Sequence, residues 1–276
     1  RKSGLAMRNA FIEELVLLAE KHPHIALVVG DLGFSVIEPF ADRFPDRFIN
    51  AGVAEQNMTG LAAGMASEGY HVFTYSIANF PTFRCAEQIR NDVDYQNLPV
   101  TVVAVGGGLA YGALGYSHHA VQDYALLRTM PNLLIAAPGD PAETRACLRY
   151  LVNNPQPSYL RLGKAGEPKV HASVPDLTPG RWCAVNGHDS PSKKIILSTG
   201  ATLKMATEMV KQPPYQDYSV FSLPLWGMKS KAMQAAQIAG AEQLVSIEDH
   251  LEDGGFGSWL MESLGTSPQL RQRLHS

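Results

Sequence analysis

The sequence predicts an α/β protein of two domains, each built on a mostly parallel sheet with helices on both faces. Short apolar runs, of the length expected for buried strands, recur along the 276 residues. Segments with the spacing of amphipathic helices, such as Leu5–Glu20, alternate with these runs. A segment rich in proline, glycine and polar residues divides the alternating pattern into two parts, which indicates two domains.

The position of this segment gives the predicted domain boundaries. Residues 1–165 form the first domain, residues 166–190 a linker and residues 191–276 a second, smaller domain. The tail after Leu264 contains no recognisable strand, so the second domain is predicted to be truncated or to lack a segment. The predicted strands are Ile25–Gly30, Val72–Ser76, Pro99–Val105, Leu133–Pro138 and Ser158–Leu162, followed by Lys193–Gly200, Tyr218–Pro224 and Gln243–Asp249.

Composition excludes several classes of function. The formal net charge is -3, from 23 basic and 26 acidic residues, which argues against a nucleic-acid partner. No apolar run approaches the roughly 18 residues that a membrane-spanning helix needs. The three cysteines, Cys85, Cys147 and Cys183, form no CxxC pair and no metal-binding spacing, which favours a reducing compartment. We therefore expect a cytoplasmic protein.

Glu55 heads a predicted helix of small and apolar residues within Gly52–Tyr70, GVAEQNMTGLAAGMASEGY. The simpler interpretation is an acid that stabilises a helix N-terminus through the helix dipole. The alternative is a buried carboxylate with a chemical role. That alternative requires other functional side chains nearby in the fold.

Two further segments supply such side chains. Phe80 and Phe83 flank a proline where a strand turns into a helix, and they are suited either to stack on a flat heterocycle or to pack in the core. His118 and His119 lie in the loop GYSHHAVQD, either as solvated residues or as proton carriers. Ligands of open parallel sheets bind beyond the carboxyl ends of the strands, where these segments are predicted to lie.

Taken together, these segments resemble the C-terminal half of transketolase, a thiamine diphosphate enzyme. GVAEQNM resembles the G-V-x-E segment of that family, and YSHHAVQDYALLRTMPN resembles its histidine loop. PGDPAE, SYLRLG and EDHLEDGGFGSW have counterparts in the same order. The resemblance extends from about Ala6 to Leu264 and is strongest to split transketolases, whose halves are separate chains. It implies a pyrimidine-binding domain followed by a transketolase C-terminal-like domain.

The resemblance also implies cofactor-binding roles. Glu55 takes the position of the glutamate that hydrogen-bonds a ring nitrogen of the cofactor's aminopyrimidine. This favours the tautomer that removes a proton from the thiazolium carbon, chemistry that needs a desolvated acid. Phe80 and Phe83 resemble the aromatic pair around the pyrimidine. Asp31 matches an acid near the cofactor at the subunit interface.

Substrate roles follow in the same way. His118 matches the histidine that lines the sugar channel and assists proton transfer, with His119 as the second choice. Arg161 matches an arginine that binds the substrate phosphate, for which a guanidinium fork is well suited. Ser35 matches a phosphate-contacting serine. Leu114 stands where the family has an acid that contacts donor hydroxyls, so substrates other than the usual pentose phosphates are compatible with the sequence.

The resemblance implies a partner chain. Family members bind a divalent metal through a G-D-G motif followed by an asparagine, and this sequence lacks that motif. The Mg²⁺ or Ca²⁺ of thiamine diphosphate would then be held mainly by an N-terminal-half subunit, with no metal ligand in this chain. Two such pairs would form a two-fold heterotetramer. The implied reaction moves a two-carbon ketol unit from a ketose (phosphate) donor to an aldose acceptor.

Three alternatives remain open. Deoxyxylulose-phosphate synthase and the beta subunit of 2-oxoacid dehydrogenases share the implied architecture. The SHHAVQD loop favours transketolase over the dehydrogenase, whose loop histidine is usually followed by serine. A non-catalytic structural subunit with a vestigial site belongs to a different class. The joint presence of Glu55, His118 and Arg161 argues against it.

Overall fold

The computed structural model describes residues 6–185 and 192–276. Its strands are β1 (Ile25–Val29), β2 (Phe48–Asn50), β3 (His71–Ile77), β4 (Val100–Val105), β5 (Leu134–Ala136), β6 (Ser158–Leu162), β7 (Cys183–Ala184), β8 (Lys194–Ser198), β9 (Ser219–Ser222), β10 (Leu225–Trp226), β11 (Gln243–Ile247) and β12 (Leu274–His275). Its α-helices are α1 (Met7–Lys21), α2 (Glu38–Arg43), α3 (Glu55–Ser67), α4 (Phe80–Phe83), α5 (Ala86–Gln88), α6 (Asp123–Leu127), α7 (Pro141–Asn153), α8 (Leu203–Met209), α9 (Gln234–Ala239), α10 (Phe256–Ser263) and α11 (Pro268–Arg271).

The larger sheet has the strand order β10-β5-β6-β4-β3-β1-β2 and is parallel except where β10 pairs with β5. Strands β1, β4 and β6 are buried along their whole length, which explains their unbroken apolar runs. Ala26 of β1 faces the core shared with α3, whereas Leu27 faces the core shared with α1 and α7. The predicted parallel sheet with helices on both faces is confirmed.

The smaller sheet has the order β12-β11-β8-β9-β7 and is parallel except at β7. Ile196 of β8 packs against Leu203 of α8 on one face. Leu197, the next residue, belongs to the core that contains Trp259 of α10 on the other face. The second domain therefore has the predicted architecture. Among the described residues, no helix combines the length and the apolar character needed to cross a membrane.

The eight predicted strands are all present, but the prediction that the tail contains no strand is wrong. Leu274 and His275 form β12, which pairs in parallel with β11. A strand of only two or three residues leaves no periodic pattern in the sequence, and β2, β7 and β10 were missed for the same reason. β7 lies within the segment predicted to be a linker. Residues 1–5 of the first predicted domain, residues 186–190 of the linker and residue 191 of the second domain lie outside the described part.

The two sheets are joined through a buried aromatic cluster. Trp226 of β10, from the second predicted domain, lies at the edge of the larger sheet. Its ring centroid is 5.1 Å from those of Tyr124 and Trp259 and 5.2 Å from that of Phe256. The indole N–H of Trp226 donates a hydrogen bond to Thr199 Oγ1 at 3.0 Å. The domains therefore share one core, and burial of these rings stabilises their relative position.

His71 of β3 makes the stability of the fold dependent on pH. Its Nε2 lies 2.9 Å from Thr101 Oγ1, and burial lowers its pKa to about 3. Unfolding restores the ordinary pKa of about 6.5, so the unfolded chain binds one more proton in acid. The free energy of unfolding is therefore unaffected by His71 above about pH 6.5. It decreases as the pH falls from 6.5 towards 3, because protonation of His71 favours the unfolded chain. At pH 5 we expect a loss of about 2 kcal/mol relative to neutral pH.

Urea unfolding of the wild type and of His71→Gln, at neutral pH and at about pH 5, tests this. Glutamine keeps a polar group beside Thr101 but takes up no proton. The wild type should lose about 2 kcal/mol more than the variant over this interval. Equal losses in both proteins would show that His71 does not carry the effect.

Candidate active site

Glu55 is the first residue of α3, and only 4% of it is exposed. A hydrogen-bonded turn positions it. The side-chain oxygen of Asn50, at the end of β2, accepts hydrogen bonds from the backbone N–H groups of Asp31 at 3.1 Å and Gly52 at 3.0 Å. Gly52 has a φ of 73°, a conformation that glycine adopts without strain. This turn ties the loop after β1 to the start of α3.

Arg84 pairs with the buried acid. Its Nη1 lies 3.2 Å from Glu55 Oε2, and 51% of its side chain is exposed. The same guanidinium lies over the ring of Phe80, with 4.2 Å from Cζ to the centroid. The side-chain amide of Gln56 donates a hydrogen bond to the Arg84 backbone oxygen at 2.9 Å. Sequence reasoning missed Arg84, whose only signal is a cation directly after the aromatic pair.

Phe80 connects the acid to the histidine loop. The ring centroids of Phe80 and His118 are 5.2 Å apart in an edge-on arrangement. His118 also contacts Tyr111, at 5.9 Å between centroids. Glu55, Arg84, Phe80 and His118 therefore form one continuous set of contacts. Phe83, at the far end of α4, is 42% exposed.

The two loop histidines differ in their surroundings. His118 Nδ1 lies 3.0 Å from Ser117 Oγ, and the Ser117 backbone oxygen accepts a hydrogen bond from Asn79 Nδ2 at 3.1 Å. The Nε2 of His119 instead donates to the backbone oxygen of Gly112 at 2.9 Å. His118 therefore faces the aromatic ring of Phe80, whereas His119 holds its own loop together.

Arg161 is enclosed by hydrogen-bond acceptors, and 2% of its side chain is exposed. Nε donates to Asp123 Oδ2 at 2.7 Å, and Nη1 donates to the Tyr124 hydroxyl at 3.1 Å and to Asp249 Oδ1. Nη2 donates to the backbone oxygens of Ala120 at 2.8 Å and Asp249 at 3.1 Å. Burial disfavours the charged form, but the two aspartates outweigh it and raise the pKa of Arg161.

This pairing does not fit the phosphate-binding role that the resemblance implies for Arg161. All five of its N–H groups already have an acceptor within the chain, so none is left for a phosphate. The glycines of the loop GGGLAYGALG accommodate this arrangement. A Cβ at Gly107 would overlap the Arg161 guanidinium, and one at Gly108 would overlap the Asp249 carboxylate. The loop thus permits a close approach between the two domains.

Arg161 and the acids that pair with it, Asp123 and Asp249, are called the Arg161 clamp below. A cleft of about 530 Å³ adjoins the clamp and is lined by Arg161, Asp249, Gly107 and Lys164 among other residues. Lys164 is exposed, and its Nζ lies 4.6 Å from the ring centroid of Tyr111, the residue that contacts His118. The cleft therefore lies close to the candidate site. Sequence reasoning did not identify Lys164, although it directly follows the SYLRLG segment.

Asp31 and Ser35 lie in the exposed loop after β1. Both have left-handed backbones, with φ values of 55° and 68°. The Asp31 carboxylate accepts from Asn50 Nδ2 at 2.9 Å, and the Ser35 N–H donates to Glu38 Oε1 at 2.6 Å. Non-glycine residues in this conformation cluster at functional sites. The binding roles implied for Asp31 and Ser35 stay predictions.

Residues 3–168 match the family model described as "Transketolase, pyrimidine binding domain". The chain belongs to the transketolase family. It is 32% identical over 269 residues to one subunit of the apulose-4-phosphate transketolase of Phocaeicola vulgatus, covering 96% of this chain and 85% of that one. It is also 30% identical over 272 residues to the 1-deoxy-D-xylulose-5-phosphate synthase of Clostridium perfringens, covering 95% of this chain but 43% of that longer one.

A solved structure agrees with this assignment. The structure described as "Split gene transketolase, inactive beta4 tetramer" matches with a TM-score of 0.84 and 31% identity. The match covers 96% of this chain and 87% of that one. The transketolase fold expected from the resemblance is confirmed along nearly the whole chain.

The Arg161 clamp should contribute strongly to stability. Asp123→Asn removes one carboxylate from a buried guanidinium, so we expect the free energy of unfolding to fall by about 3–5 kcal/mol. Glu208→Gln is the control, because Glu208 forms an exposed ion pair with Lys211 at 2.7 Å. That substitution should cost less than about 1 kcal/mol. Urea unfolding compares the two variants, and equal losses would contradict the structural role of the clamp.

Proposed function

We propose that this chain is the C-terminal subunit of a split, thiamine diphosphate-dependent transketolase. With a partner subunit, it transfers a two-carbon ketol unit from a ketose donor to an aldose acceptor. The observation that carries the proposal is the continuous contact of Glu55, Arg84, Phe80 and His118. These residues follow the carboxyl ends of β2, β3 and β4, where parallel sheets bind ligands.

The residues fit an aminopyrimidine. Glu55 offers a buried carboxylate that can share a proton with a ring nitrogen, and Phe80 offers an apolar face that excludes water. Arg84 now pairs with that carboxylate, and its exposed side chain is free to swing towards solvent when a heterocycle binds. When bound, thiamine diphosphate supplies a carbon nucleophile that attacks a carbonyl. Phe83 and Asp31 are the further contacts that we propose around the cofactor.

His118 is proposed to move a proton on the substrate side. It lies beyond Phe80 as seen from Glu55, next to Tyr111 and the cleft that contains Lys164. A loop histidine in reach of solvent is suited to both giving and taking a proton. His119 has a supporting role, because its Nε2 is engaged within the loop.

The partner would supply the metal and the diphosphate site. Mg²⁺ requires oxygen ligands in octahedral geometry. The carboxylate of Glu55 is instead paired with the guanidinium of Arg84, a cation that disfavours a metal ion beside it. The Phocaeicola vulgatus relative is named as one subunit of its enzyme, which supports a second kind of chain. Exposed apolar side chains lie in the loops after β1, β2 and β4, and such exposed apolar groups are typical of a protein-binding surface. They are Phe34, Val53, Leu114 and Tyr116.

Phosphorylated ketoses are the donors to test first, because the name of the Phocaeicola vulgatus relative includes a sugar phosphate. Lys164 is the exposed cation of the cleft beside His118 and can reach an anion there. Ser35 is the second proposed phosphate contact. Arg161 would reach a phosphate only after Asp249 or Asp123 had moved away.

Glu55→Gln should abolish most of the activity. Glutamine keeps the size of the side chain but cannot share a proton, so we expect turnover of the assembled complex to fall by about 10²- to 10⁴-fold. Glu68→Gln is the control, because Glu68 lies at the exposed C-terminal end of the same helix. Ketol transfer is measured with saturating thiamine diphosphate. Turnover near the wild-type rate in Glu55→Gln would refute the assignment.

His118→Ala should reduce turnover by about 10²-fold, with little change in the dissociation constant of the cofactor. His119→Ala should be milder, since its Nε2 contacts only the loop backbone in this arrangement. Steady-state kinetics and calorimetry on the two variants separate chemistry from binding. A larger loss of turnover in His119→Ala would exchange the roles of the two histidines.

The isolated chain should be inactive and should bind thiamine diphosphate weakly. The proposed site offers this chain's contacts to the pyrimidine only, and the metal and diphosphate need the partner. Calorimetric titration with thiamine diphosphate and Mg²⁺ is done first on this chain and then on the complex. Tight binding or ketol transfer by the chain alone would overturn the division of the site between two subunits.

A further inference from the structure

A second cluster of reactive side chains lies at the junction of the two domains, apart from Glu55. Glu143 belongs to the first turn of α7, His171 to the segment after β6, and Cys183 to β7 of the smaller sheet. Each contributes one ligand atom, and the three atoms lie within 4.8 Å of one another. Glutamate, histidine and cysteine are three residue types that bind transition metals.

Glu143 points one oxygen at this cluster without a hydrogen bond. Its Oε2 accepts from the Gly139 N–H at 2.6 Å and from Ser222 Oγ at 3.1 Å. Its Oε1 is buried and has no hydrogen-bond partner among the described residues. A buried carboxylate oxygen without a hydrogen bond is costly, and a cation beside it is stabilising.

Two distances in this cluster, both from His171 Nε2, are close to those between ligands of one metal ion. His171 Nε2 lies 3.6 Å from Glu143 Oε1 and 3.7 Å from Cys183 Sγ. The first distance is too long for an N–H···O hydrogen bond. Ligands of a tetrahedral Zn²⁺ with ordinary bond lengths lie about 3.4–3.6 Å apart. Small adjustments of the side chains would therefore bring all three atoms into coordination.

Asp140 holds the histidine through a hydrogen bond to its backbone N–H and an ion-pair contact with its ring. Its Oδ2 lies 3.3 Å from His171 Nδ1 and also accepts the backbone N–H of His171 at 2.8 Å. Its Oδ1 accepts the N–H of Glu143 at 2.7 Å. A carboxylate on the far nitrogen of a histidine directs the other nitrogen towards the metal. Nε2 is the nitrogen that faces Glu143 and Cys183.

We propose that Glu143, His171 and Cys183 bind one Zn²⁺ ion. The mixed oxygen, nitrogen and sulfur donor set suits this borderline ion better than Mg²⁺ or Ca²⁺. Cys183 is half-buried, which gives the ion a path from solvent and allows water to take the fourth position. The site is distinct from the cofactor site and does not depend on the function proposed above.

The consequence of binding is structural. The three ligands come from the first domain, the connecting segment and the edge strand of the smaller sheet. One bound ion would therefore cross-link these three parts of the chain. Because the ligands are assembled only in the folded chain, Zn²⁺ should raise the thermal midpoint. Neither thiamine diphosphate nor the partner subunit is needed for this effect.

Co²⁺ replaces Zn²⁺ as a spectroscopic probe of the full chain. After chelator treatment under reducing conditions, the protein is titrated with Co²⁺ and then with Zn²⁺. We expect one ion per chain, a thiolate-to-Co²⁺ charge-transfer band, and displacement of Co²⁺ by Zn²⁺. Thermal unfolding with and without Zn²⁺ provides a second readout. Absence of a stoichiometric ion in the wild type would show that the cluster is a buried ion pair and would overturn the proposal.

The variants identify the ligands. Cys183→Ser should remove the charge-transfer band and the stabilisation by Zn²⁺, and Glu143→Gln should weaken Zn²⁺ binding by about tenfold or more. Cys147→Ala is the matched control, because Cys147 is a buried thiol on α7 outside the ligand set, and it should keep the band. A band that survives in Cys183→Ser or vanishes in Cys147→Ala would refute the assigned site.

Discussion

The buried positive charge of Arg161 is the constraint on which the arrangement of the molecule depends. An unpaired guanidinium at this depth would be strongly destabilising, so the chain must bring acceptors to it. Asp123 and the Ala120 backbone come from the histidine loop and the helix after it, and Asp249 comes from the second domain. Satisfying one charge therefore fixes the end of the loop that carries His118 and the position of the smaller sheet.

The strands of the larger sheet hold the residues of the candidate active site in position. Glu55 and Phe80 follow β2 and β3 directly, so short turns transmit the position of the strands to the reactive groups. The Asn50 side chain links the turn before α3 to the loop after β1. The exposed part of the assembly is Arg84, which pairs with the acid and covers the aromatic ring. Arg84 is therefore the member of this group that an arriving ligand would displace from the buried acid.

Three clusters of buried interactions lie at the junction between the domains. They are the Arg161 clamp, the aromatic cluster around Trp226 and the cluster of Glu143, His171 and Cys183. β10 extends the larger sheet with residues from the second domain, so the two cores are continuous. Loss of contacts at this junction would therefore disturb the loop of His118 as well as the smaller sheet.

The sequence by itself determined the two parallel sheets, because strands buried on both faces need unbroken apolar runs. It also singled out Glu55, Phe80 and His118, each within a motif of its own. The partners of these residues were decided only by tertiary structure. Arg161 meets acids that are 38 and 88 residues away in the chain, and no local pattern records such pairings. The two-residue strands β10 and β12 likewise exist only because a neighbouring strand is there to pair with them.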